Sequence, residues 1–220
     1  MAMTEQEWLA SREPQKMIRH IKDKGSDRKW WLFAAAGYSL PSLHLPGNML
    51  RYAFEGFADG LASSEDRQMA REFFAREKER FVYEQDFEEA AWCRDMERRI
   101  EREKEYPRGI RPLAAYLALR LDQLEDPAAQ TACHGSLANI LRDIFGHLFL
   151  AVPPRSSFLT ANVTGLATAI YSERAFDRLP ILADALEDAG CDNADILNHC
   201  RQPGEHVRGC WVVDLILSKK

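Results

Sequence analysis

The chain has 220 residues, 46% hydrophobic and 29% charged, with 29 Lys+Arg against 34 Asp+Glu and a net charge of −5 at pH 7. That balance excludes a disordered tail or a collagen-like repeat, and a chain of this length buries a sizeable core. The acidic total argues against a dedicated duplex-DNA binder, which carries a basic face. Thr4, with Glu7 three residues on, has the spacing of a capping box for a short helix holding Trp8 and Leu9. Pro14 suits the first turn of a second helix carrying Met17, Ile18 and Ile21. Ser26 or Asp27 caps a third, from Arg28 to about Tyr38, apolar on most sides and so central in the core. Pro41, Pro46 and Gly47 mark a loop before a fourth helix through Leu50, Phe54, Phe57 and Leu61.

Residues 64–105 are densely charged and contain neither Pro nor Gly. They read as one long helix or two consecutive ones, with Met69, Phe73, Phe74, Phe81, Phe87, Trp92, Met96 and Ile100 as the apolar members. The stripe drifts, so a strict heptad fails and a long coiled coil is not expected. The segment either packs along the core or projects toward a partner. Further helices are expected from Pro112 to Leu124, Ala128 to Phe145, Asn162 to Ser172 and Pro180 to Ala189. A turn at Pro153-Pro154 interrupts this series. A short helix holding Ile196, Leu197 and Cys200 follows, started by Asp192 or Asn193. The apolar stretch from Cys210 to Leu217 is read as helix, because nothing else in the chain offers it a strand to pair with. No segment alternates apolar and polar residues in the manner of a sheet. The fold class is therefore all-α: a compact, irregular bundle of roughly eight to ten helices. One domain over 1–220 is the default, with 1–111 and 112–220 as possible lobes.

The absent motifs narrow the chemistry. There is no Gly-rich phosphate loop, no Gly-x-Ser-x-Gly, no His-Glu-x-x-His and no Cys-x-x-Cys. No catalytic residue is assigned. One constellation remains in the last 30 residues: Cys191, His199, Cys200, His206 and Cys210. His206 and Cys210 are four apart and on a helix would share a face. Adjacent His199 and Cys200 would point apart on a helix, so the two do not both ligate. Cys191, Cys200, His206 and Cys210 are therefore the candidate ligands, and thiolate with imidazole suits zinc. The alternative is that the cysteines are small buried apolar residues and the site holds no cofactor.

The five cysteines form no dense disulfide framework, the N-terminus lacks the basic and apolar stretches of a secretion signal, and no run of about 18 apolar residues is present. A cytoplasmic protein without a membrane span is expected. Its leading expected function is a non-enzymatic helical module that binds another protein. The alternatives are a zinc-stabilised helical protein and a nucleic-acid accessory protein. The last would use Trp30-Trp31 after Arg28-Lys29, or the stripe Arg94, Arg98, Arg99, Arg102, whose field the interleaved acids largely cancel.

Several strings resemble a family of unassigned function abundant in planctomycete bacteria. They are Leu179-Pro180-Ile181-Leu182-Ala183-Asp184-Ala185-Leu186-Glu187-Asp188-Ala189-Gly190-Cys191, then His199-Cys200-Arg201, then His206-Val207-Arg208-Gly209-Cys210-Trp211-Val212-Val213-Asp214. Leu141-Arg142-Asp143-Ile144-Phe145-Gly146 and the start, Thr4 to Leu9, share the likeness. The resemblance implies a bacterial protein and supplies no activity, cofactor or catalytic residue. Two departures stand out. The family's cysteine-rich stretch is replaced by Phe33-Ala34-Ala35-Ala36-Gly37-Tyr38, and His147-Leu148 stands where relatives have Asn-Pro.

Overall fold

In a computed structural model, residues 3–21, 23–40, 47–102, 110–146 and 158–219 are described. The loop around Pro41 and Pro46, the Pro153-Pro154 turn and His147 lie outside them. Among the described residues there are twelve α-helices, a 3-10 turn at Phe176–Arg178 and no strand, so the chain is all-α. None of these helices is long and apolar enough to cross a membrane. The chain divides into two compact units, one made of Met1–Lys24 with His134–Lys220 and the other of Gly25–Cys133.

The contiguous unit holds α3 (Asp27–Gly37), α4 (Gly47–Ala58), α5 (Ser64–Tyr83), α6 (Phe87–Arg102) and α7 (Arg111–Asp122). Ser26 caps α3 by accepting from the Lys29 N–H, and Ser63 with Asp66 forms a capping box on α5. As its all-round apolar character predicts, α3 is buried along its length and packs on α4 and α7. Trp31 meets Phe54 and Phe57 with ring centroids 5.0 Å apart, and Tyr38, Phe73 and Phe74 extend the aromatic core. Trp30 and Trp31 are fully buried, so they offer no stacking surface to bases.

The charged segment is two helices. They pack on each other, and α5 also packs on α4, around Phe73, Phe74, Cys93, Met96 and Ile100. Lys78 pairs with Glu97 at 2.9 Å across this hairpin, and the Arg67 guanidinium donates to the Ile100 carbonyl. The break comes without Gly or Pro. The Asp86 N–H reaches back to the Phe81 carbonyl and the Gln85 N–H to that of Val82, a Schellman closure with Gln85 left-handed at φ 62°. Asp86 then accepts from the Glu89 N–H and starts α6. A side chain costs about 1 kcal/mol in that conformation. Gln85→Gly is therefore expected to raise stability by about 0.5–1 kcal/mol, read from the urea midpoint.

The discontinuous unit holds α1 (Glu5–Ala10), α2 (Pro14–Ile21), most of α8 (Pro127–Phe145), α9 (Ala161–Glu173), α10 (Leu179–Asp188), α11 (Ala194–Arg201) and α12 (Trp211–Ile216). Thr4 and Glu7 make the expected capping box on α1. The Arg142 side chain of α8 donates to the Trp8 and Ser11 carbonyls and ties the N-terminal helices down. Thr160, not Asn162, caps α9, because its hydroxyl reaches the Val163 N–H and the helix starts at Ala161. Helices α9 to α12 close over one apolar cluster that includes Ile170, Leu182, Leu186, Trp211 and Val213. Asn193 caps α11 through the N–H groups of Asp195 and Ile196.

Candidate metal centre

Three segments of the discontinuous unit meet at one point. Asp143 lies in the last turn of α8, on a helix side flanked by buried Ile140, Leu141, Ile144 and Phe145. His199 sits in the last turn of α11. His206 follows in the 202–210 loop, and Cys210 ends that loop as the residue before α12. The loop is turned by Gly209 at φ 99°, which lets the Cys210 N–H bond the Val207 carbonyl at 2.9 Å. Nearby, a Cβ on Gly146 would stand 2.9 Å from the Trp211 ring, so only glycine lets that indole close down. Trp211 in turn packs on His199 with centroids 5.0 Å apart.

The donor atoms of Asp143, His199, His206 and Cys210 all lie within 4.8 Å of one another. Asp143 Oδ1 is 2.6 Å from His206 Nδ1 and 3.1 Å from His199 Nε2. His199 Nε2 is also 3.3 Å from Cys210 Sγ. The second carboxylate oxygen, Oδ2, accepts from the Val207 N–H at 2.8 Å. Gln202 Nε2 lies 3.1 Å from His199 Nδ1 and holds the outer edge of that ring. All four side chains are buried: Asp143 is 3% exposed, Cys210 0%, and the side chain of partly exposed His206 only 7%. One polar atom inside this group, His206 Nε2, has no hydrogen-bond partner.

The electrostatics follow from burial and charge. Burial pushes the Asp143 carboxyl up, but hydrogen bonds from His199 and His206 and the His206 charge outweigh it and hold it below its ordinary value. Burial pulls His206 down, and the Asp143 hydrogen bond and charge, with the Gln202 backbone, more than reverse that, so its value is raised. Burial and the Asp143 charge push the Cys210 thiol well above its ordinary value, with the Val213 and Val212 amides acting the other way. In metal-free protein these directions favour a charged Asp143–His206 pair and a protonated Cys210 thiol. The two linkages have opposite signs. The depressed Asp143 contributes stability above about pH 4, lost as pH falls through its folded value. The raised His206 contributes stability below about pH 6.5, lost as pH rises through its folded value. Metal-free protein is expected to gain most from this pair between about pH 4 and 6.5 and to weaken on both sides. Urea denaturation across a pH series in chelator reads this directly.

Of the residues singled out in the sequence, His206 and Cys210 belong to this group. They meet through a loop and not through helical spacing. Cys191 and Cys200 are buried in the apolar cluster and lie outside the four-residue set. Burial, with the Asp143 and Cys191 charges, pushes the Cys200 thiol up to about 12. His199 faces the group in place of its neighbour Cys200, and Asp143 completes it. The signal for Asp143 was a lone carboxylate among apolar residues at helical spacing. A nucleophilic reading fails on geometry. The thiol and the carboxylate meet His199 at the same nitrogen, Nε2, so the ring cannot relay a proton between them, and the thiol is fully buried. Cys93 is likewise buried, its thiol pushed up to about 12 by burial and by Glu77, Glu89 and Glu97.

No protein-family model, no curated protein and no solved structure matches the chain.

Proposed function

We propose that Asp143, His199, His206 and Cys210 hold one zinc ion, and that the discontinuous unit is a metal-stabilised helical module. The observation that carries the reading is the convergence of four buried zinc-type donors within 4.8 Å. Two imidazoles, one carboxylate and one thiolate suit zinc in preference to a hard cation such as magnesium or calcium. Zinc–ligand distances of about 2.0–2.3 Å imply tetrahedral edges of roughly 3.3–3.7 Å. The 3.1 and 3.3 Å separations are close to that, and the 2.6 Å pair would open outward. Four protein ligands leave no position for substrate, so the role is structural and the module non-enzymatic. Gln202 supports the ring of His199; with Nε2 on the metal, Nδ1 carries the proton and the Gln202 amide turns to accept it.

The five cysteines are free and buried, which accords with a reducing, cytoplasmic setting. A nucleic-acid role has less support. Trp30 and Trp31 are buried, and Arg99 of the basic stripe is paired with Asp95 at 2.7 Å. The test is elemental analysis of tag-free protein prepared without chelators, paired with melting curves with and without a strong chelator. About one zinc per chain and a lower melting temperature in chelator are expected. Protein that neither carries zinc nor takes it up after reduction sinks the reading.

A further inference from the structure

The turn between α5 and α6 exposes apolar surface that the core does not need. Val82 is 50% exposed, Tyr83 88% and Phe87 67%, all within six residues at one end of the hairpin. Every residue from 82 to 88 is exposed. Large apolar side chains clustered this way mark contact surfaces. The same end is strongly acidic. Between positions 79 and 89 the carboxylates of Glu79, Glu84, Asp86, Glu88 and Glu89 face one guanidinium, Arg80, which already pairs with Glu77 and Glu84. Glu89 carries the clearest sign of uncompensated charge. Its Oε2 is buried without a hydrogen-bond partner, and burial, Asp86 and Glu88 together push its carboxyl above the ordinary value.

We propose that this hairpin end docks a cationic amphipathic helix of a partner protein, its apolar face on Val82, Tyr83 and Phe87 and its Lys or Arg side chains on the carboxylate rim. Charge complementarity selects that occupant. Five carboxylates repel nucleic acid and an anionic bilayer, and two copies of this end repel each other. Exposed aromatics supply rigid contact area for a helix laid across them.

The probe is an 18-residue amphipathic Leu/Lys peptide, titrated calorimetrically into the full chain, with a Leu/Glu peptide of the same pattern as control. The Leu/Lys peptide is expected to bind and the Leu/Glu peptide not. The double variant Tyr83→Ser/Phe87→Ser and the double variant Glu84→Lys/Glu88→Lys are each expected to weaken binding about tenfold or more. All four side chains are exposed, so both double variants should stay folded; Glu84→Lys/Glu88→Lys should melt a few degrees lower, because it removes the Arg80–Glu84 pair and puts a cation in the first turn of α6. Glu65→Lys/Glu72→Lys, toward the other end of α5, should bind as wild type. Equal binding by all variants would reduce the attraction to the net charge of the molecule and overturn the proposal. So would absence of binding, binding of the Leu/Glu peptide, or self-association of the wild type that Tyr83→Ser/Phe87→Ser abolishes, which would make a second copy the occupant.

Discussion

If the four-residue site holds zinc as proposed, a strong chelator is expected to lower the melting temperature by about 10 °C. The size follows from linkage: a ligand present at a thousand times its dissociation constant stabilises the native state by about 4 kcal/mol. For a chain of 150–250 residues each kcal/mol moves the midpoint by roughly 2–4 °C. The effect should stop short of complete unfolding, because Ile170, Leu182, Leu186 and Val213 form a core beside the site that needs no metal. Cys210→Ser isolates the cause. It nearly keeps the shape of the side chain and removes the thiolate, so metal-free stability should change little while most of the zinc-dependent increment disappears. Zinc affinity should also rise with pH, since binding requires a deprotonated thiol and neutral imidazoles. A Cys210→Ser protein that keeps the full chelator response would place the metal elsewhere.

Asp143→Ala is expected to cost about 3–5 kcal/mol even in chelator, the penalty for stranding the partners of a buried charge. The variant leaves the His206 ring without its counter-ion and the Val207 N–H without an acceptor. Asp143→Asn should cost distinctly less, because its amide oxygen can still accept from Val207 while the charge is gone. Both should lose zinc. Chemical denaturation of the three proteins in chelator separates the structural role from the metal role. A cost below about 1 kcal/mol for Asp143→Ala would show that the carboxylate does not hold the loop.

The helical class, most caps and the central position of Trp30 and Trp31 were legible because they depend on local spacing: Thr4 with Glu7, Pro14, and the apolar run of α3. The break in the charged segment was less so. Its signal is Asp86 as a cap, and the left-handed residue before it is Gln85 where a sequence reader looks for glycine. The site was half legible. His206 and Cys210 stood out by residue type, but the choice between His199 and Cys200 depends on which side of α11 faces α8, and no spacing within 191–210 contains that. Asp143 is 56 residues before His199, so only the packing of α8 against the C-terminal loop brings it in.

The discontinuous unit also constrains the order in which the chain can fold. Trp8 receives its bond from Arg142, 134 residues further along. At ribosomal speeds of about 5–20 residues per second, the N-terminal helices wait roughly 7–27 s for that partner. Residues 25–133 are contiguous and can condense in the interval, whereas Trp8, Met17 and Ile21, all buried in the finished protein, stay without their own core. The first two helices are thus a delayed clasp, and the growing chain is most open to chaperones and to misassociation before α8 emerges.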